Sequence, residues 1–71
     1  MKIKDKINLK DLEKVGFVKY PYGYKLEGNT EGQWTKLIAT VNKDTRNIWI
    51  ADGEEKNITK LLEEMIDYEE N

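Results

Sequence analysis

Trp34-Thr35-Lys36-Leu37-Ile38-Ala39-Thr40-Val41, then Asn42-Lys43-Asp44-Thr45-Arg46-Asn47, then Ile48-Trp49-Ile50-Ala51, is the stretch on which the fold turns. Two runs rich in β-branched and aromatic residues flank six turn formers, a pattern that predicts an antiparallel hairpin. Side chains alternate across a strand. In the first run Leu37, Ala39 and Val41 therefore share one face, and Trp34, Lys36, Ile38 and Thr40 share the other. In the second, Ile48 and Ile50 oppose Trp49. If the smaller apolar set meets the core, Trp34, Ile38 and Trp49 stand on an open sheet face, with Tyr22 and Tyr24 as candidates to join them. The reverse register would bury one or both tryptophans, because a slip of one residue exchanges the two faces.

Upstream, Phe17 to Leu26 is again rich in β-formers, broken at Pro21, whose missing N–H suits a turn or an edge. It predicts two short strands around Pro21-Tyr22-Gly23, followed by a polar loop, Gly28-Asn29-Thr30-Glu31-Gly32. Before these, Asn8 is a good N-cap, and Asp11 complements the first helical turn. Ile7 and Leu12 can staple the entry, and Gly16 followed by Phe17 suits a Schellman close. Residues 9 to 15 are thus expected to be a short helix with the stripe Leu9, Leu12 and Val15 inward.

Downstream, Asp52-Gly53 ends the hairpin. Asn57 is placed to cap a last helix in which Ile58, Leu61, Leu62, Met65 and Ile66 fall at i, i+3, i+4, i+7 and i+8. Glu63, Glu64, Asp67, Glu69 and Glu70 crowd its C-terminal half, where the dipole disfavours negative charge, so its last turn should fray. The expected order is α-β-β-β-β-α. It implies a two-layer α+β domain over residues 1–71, a single domain with an antiparallel sheet of about four strands and both helices on one face.

The chain of 71 residues is 38% hydrophobic and 37% charged, enough for one core. A domain this short buries only about 60% of its unfolded surface, so packing has little margin. Without cysteine it has no disulfide or zinc–thiolate staple. Charge alternates through Met1-Lys2-Ile3-Lys4-Asp5-Lys6-Ile7, which does not read as a signal peptide or a membrane span, and a cytoplasmic location is expected. Net charge is −2, but residues 1 to 25 hold seven lysines against three acids, while residues 52 to 71 hold eight acids against two lysines.

Histidine, cysteine and serine are all missing, which removes the base and the nucleophiles that most enzymes use. A carboxylate pair would need one acid raised in a pocket, whereas the acids here fall in turns and on an outer helical face. Asp52, Glu54 and Glu55 lack the spacing of a calcium loop, and no glycine is followed by the Lys-Ser/Thr of a phosphate loop. No catalytic residue, metal or cofactor is expected.

Leu9-Lys10-Asp11-Leu12-Glu13-Lys14-Val15-Gly16-Phe17, Tyr22-Gly23-Tyr24 and Asn42-Lys43-Asp44-Thr45-Arg46-Asn47-Ile48 together resemble short hypothetical proteins carried by phages and prophages of low-GC Gram-positive bacteria. The resemblance implies a small accessory protein acting inside a bacterial host, and no chemistry. Three roles suit the residues. In the first, Trp34, Ile38, Trp49, Tyr22 and Tyr24 bind a host or phage protein, since exposed aromatic patches mark interaction surfaces. In the second, the same face stacks single-stranded nucleic acid, with Lys19, Lys25 and Lys36 on phosphates, against which stand the pI near 5.1 and the single arginine. In the third, Glu63, Glu64, Asp67 and Glu70 form an acidic helical face that imitates a nucleic-acid backbone. Either a monomer or a weak homodimer joined through the sheet is compatible with the pattern.

Overall fold

The computed structural model describes residues 1–29 and 35–68. Helix, sheet and hairpin combine into an α+β fold with a four-stranded antiparallel sheet and a separate two-stranded one. The strands are β1 (Lys2–Ile3), β2 (Val18–Tyr20), β3 (Gly23–Asn29), β4 (Thr35–Asn42), β5 (Ile48–Ile50) and β6 (Ile66–Asp67). A 3-10 helix, Leu9–Val15, lies between β1 and β2, and helix α1, Glu55–Leu61, lies between β5 and β6.

The first helix occupies the expected residues. Asn8 caps it by accepting from the Lys10 N–H at 3.0 Å, and Gly16 closes it at φ 100°, where a side chain would be strained. The Phe17 N–H then returns to Leu12 O at 3.1 Å. Its winding is 3-10, for which a stripe repeating every three residues is the natural register. Leu12 is fully buried in that stripe, while Leu9 and Val15 pack at the margin of the core.

Pro21 and Tyr22 form the two-residue turn of the β2–β3 hairpin, in which Tyr20 opposes Gly23, Lys19 opposes Tyr24 and Val18 opposes Lys25. The anticipated loop at Gly28 begins later than its composition suggests. Gly28 and Asn29 belong to β3, opposite Lys36 and Thr35, and the rest of that loop lies outside the described residues. The β4–β5 hairpin pairs Ala39 with Ile50, Thr40 with Trp49 and Val41 with Ile48.

A bulge corrects the expected faces of β4. Ala39 opposes Leu26 and Leu37 opposes Glu27, so Ile38 has no partner across the ladder. A Cβ on Gly28 would come within 2.6 Å of the Ile38 side chain, so the bare glycine gives the isoleucine room to lie against the core. Ile38 is half-buried there, and Leu37 turns outward at 40% exposure. The expected set Leu37, Ala39 and Val41 is therefore split.

The last helix is also corrected. It starts at Glu55, with Glu54 at the N-cap, so Asn57 lies within its first turn and does not cap it. It ends at Leu61, and the chain turns to form β6 opposite β1, with Lys2 facing Asp67 and Ile3 facing Ile66. The Lys4 N–H donates to Met65 O at 2.8 Å. Continuing the helix would have gathered Glu63, Glu64 and Asp67 at its negative end, whereas the ladder offers Ile3 as a partner instead. Ile58, Leu62 and Ile66 are still fully buried, but Leu61 is 42% exposed. With β1 and β6 added, the order becomes β-(3-10)-β-β-β-β-α-β.

One cluster joins Ile3, Leu12, Phe17, Tyr24, Ala39, Val41, Ile58, Leu62 and Ile66. It draws on both helices, both sheets and Phe17 just beyond the first helix.

Arg46 ties the chain start to the β4–β5 turn. Its guanidinium donates to Lys4 O at 2.9 Å and to Ile7 O, while Ile3 N–H donates to Arg46 O at 3.0 Å.

Candidate interaction surface

Directly opposed residues of an antiparallel pair share a face. The register therefore lays Val18, Lys25, Thr40 and Trp49 in one row across all four strands of the larger sheet. The next rows, Tyr24-Val41-Ile48 and Leu26-Ala39-Ile50, lie on the opposite face and belong to the core or pack against it. One face is thus buried, and the Val18–Trp49 row stands on the other.

Trp49 is 50% exposed and Val18 equally so. At the β2 end of this face Tyr20 and Tyr22 meet edge to face, with ring centroids 5.8 Å apart and planes at 69°. Tyr22, at the hairpin turn, is 69% exposed. The Lys25 ammonium lies 6.0 Å from the Tyr20 ring centroid and 3.4 Å from a Glu27 carboxylate oxygen. The Thr35 hydroxyl donates to that same carboxylate at 3.5 Å. The face thus has an aromatic corner, a central ion pair and an indole at the far edge, with Leu37 exposed beside Glu27.

Of the residues expected on this face, Trp49 and Tyr22 are exposed there. Tyr24 is not: it is 8% exposed and belongs to the core, because it sits opposite Val41. Ile38 is drawn to the core side by the bulge, and Trp34 lies outside the described residues. Val18, Tyr20 and Leu37 are the members that sequence reasoning missed. The signal for Leu37 was Gly28, since glycine inside a strand marks a bulge or a close approach.

The acidic helical face does not form. Glu63 and Glu64 stand exposed in the turn after α1, Asp67 is half-buried in β6, and Glu70 lies outside the described residues. Of the lysines proposed for phosphate contact, Lys25 is on the open face, Lys19 is opposite Tyr24 on the other, and exposed Lys36 faces Gly28. Among the described residues no three Asp or Glu side chains converge to hold a metal ion, and no helix is long and apolar enough to cross a membrane. Compared with protein-family models, with curated proteins and with solved structures, the chain matches none.

Proposed function

We propose that the chain is a non-catalytic accessory protein of the phage and prophage type, acting in the host cytoplasm, and that it binds a protein through the open face of its larger sheet. The observation that carries this reading is Trp49, half-exposed at the end of an uninterrupted row that reaches Val18 on the opposite edge. Large aromatic side chains supply most of the energy of protein interfaces when they enter a desolvated pocket. The reading takes both helices to lie behind the buried face, which is supported by the clustering of Leu12, Ile58 and Leu62 with Ala39 and Val41. The lack of His, Cys and Ser supports a role without turnover.

Two other roles have less support. Lys25, the lysine of the open face, already meets Glu27 at 3.4 Å, which weakens its claim on a phosphate. Glu63 and Glu64 follow a helix that has ended, so their spacing does not repeat along a rod.

Affinity capture from the cytoplasm of a low-GC Gram-positive bacterium, followed by titration of the purified partner, tests the proposal. Trp49→Ala is expected to weaken binding at least about tenfold, as loss of an aromatic anchor does, with Glu63→Ala/Glu64→Ala unchanged. Equal affinity of wild type and Trp49→Ala would refute it. Saturable binding of a single-stranded oligonucleotide at low salt would favour the nucleic-acid role instead.

A further inference from the structure

Behind the open face, at the closed end of the β2–β3 hairpin, a solvent-open hollow of about 460 Å³ is lined by Lys19, Tyr20, Pro21, Gly23, Tyr24 and Lys43. Its lining combines two tyrosines and a proline with two lysines and no carboxylate. We propose that this hollow binds a planar ring carrying an anionic group.

The backbone holds the hollow in shape. Lys19 lies directly opposite Tyr24 in the β2–β3 ladder, and the Lys43 N–H is held to Tyr22 O at 2.9 Å. Gly23, at φ 147°, is pressed so close to β4 that an added Cβ would lie 2.8 Å from the Lys43 backbone nitrogen. The backbones of Lys19, in β2, and Lys43, just past the end of β4, are thus fixed on either side of β3 before any ligand arrives, which lowers the ordering cost of binding.

Three donor-bearing residues line the same hollow. The Lys19 and Lys43 side chains are exposed and, like those of Lys10, Lys36, Lys56 and Lys60, have neither an ion pair nor a hydrogen bond among the described residues, which leaves them available to an anion. Tyr24 keeps its ring in the core, while its hydroxyl forms no hydrogen bond among the described residues and is open to solvent. A phosphate or carboxylate oxygen would accept from the phenol and from the ammonium groups, while the ring it carries lies against Pro21. The volume lies within the range of about 300–1,000 Å³ typical of small-molecule sites. A second hollow, beside Lys60, has Glu63 and Glu64 in its own lining and offers an anion no such welcome.

The hollow shares only Tyr20 with the open face, and Trp49 takes no part in it. Phenyl phosphate titrated into the uniformly nitrogen-15-labelled protein should give saturable shifts at the amides of Lys19, Tyr20, Gly23, Tyr24 and Lys43. Lys19→Gln/Lys43→Gln should weaken it about tenfold or more through lost charge-assisted contacts, at unchanged melting temperature because both side chains are exposed. Tyr24→Phe, which keeps the core ring, should weaken it by about threefold to tenfold. Inorganic phosphate and phenol should each bind at least about tenfold more weakly than phenyl phosphate, since each offers only half of the recognised chemistry. N-acetyl-phosphotyrosine amide distinguishes the source: tighter binding than phenyl phosphate assigns the ring to a polypeptide, and weaker binding assigns it to a free metabolite. Shifts of equal size at Lys10, Lys36 and Lys56, or undiminished binding by the double variant, would overturn the proposal.

Discussion

Arg46 concentrates at one position several costs that the fold must offset. Its φ of 66° is the only positive value outside glycine among the described residues, a conformation that costs about 1–2 kcal/mol for a residue with a Cβ. The side chain is largely withdrawn from water, and its Nε is buried without a hydrogen-bond partner, 3.9 Å from the Asp5 carboxylate. In return, the guanidinium satisfies the Lys4 and Ile7 carbonyls. Arg46→Ala keeps the strain and loses the donors, and should cost about 2–4 kcal/mol in denaturant unfolding. Arg46→Gly also loses the donors but removes the strain, so it should be more stable than Arg46→Ala by about 1 kcal/mol. Equal stabilities would show that the turn relaxes around the alanine. Nothing local in Asn42-Lys43-Asp44-Thr45-Arg46-Asn47 announces this role. The turn itself was legible, because Asn42 Oδ1 accepts from the Asp44 and Thr45 N–H groups at 2.8 Å, an Asx geometry encoded within a few residues. The carbonyls that Arg46 reaches lie 39 and 42 positions away.

Elements whose ends are decided by neighbours in sequence were readable, and those decided across space were not. The 3-10 helix Leu9–Val15 has its cap at Asn8 and its stop at Gly16, so its bounds follow from the residues beside it. The bulge at Ile38 depends on how β3 and β4 register, and it moved Leu37 and Ile38 to faces that simple alternation did not predict. The hydrophobic spacing from Ile58 to Ile66 is helical in period, yet it also suits a helix that stops after Leu61 and hands Ile66 to a strand. Periodicity cannot tell these apart when the competing partner, Ile3, lies at the other end of the chain. The same distinction predicts the order of opening. The two-residue ladder of β1 and β6 contributes little backbone pairing, and short two-stranded ladders are marginal. In native-state hydrogen exchange the Lys4 amide, which donates to Met65 O, should open at lower free energy than those of β3 and β4 in the larger sheet. Simultaneous exchange of both groups at the global unfolding free energy would show a single cooperative unit. Ile66→Ala should cost about 2–4 kcal/mol, since the side chain is 1% exposed in the common core.

For the molecule as a whole, the basic beginning and acidic end of the sequence do not become opposite poles, because Lys2 stands opposite Asp67 in the β1–β6 ladder. Sheet edges are guarded too. β2 is three residues long with Lys19 at its centre, and the start of β5 is covered by β1, with Ile48 N–H donating to Met1 O at 3.0 Å. That leaves the open face as the route to self-association, and its central Lys25–Glu27 pair must be desolvated for two copies to meet. Sedimentation should therefore give a monomer throughout the micromolar range, with a melting temperature independent of concentration. A dimer there, abolished by Trp49→Ala, would reassign the face to a second copy of the chain. The pairing of Ile3 with Ile66 also bears on how the protein is born. Translation proceeds from one end at about 5–20 residues per second, so Ile3 leaves the ribosome seconds before its partner has been made. Until Ile66 emerges, the nascent chain has a core with one wall missing, and during that interval chaperones and proteases compete with folding for its uncovered apolar side chains.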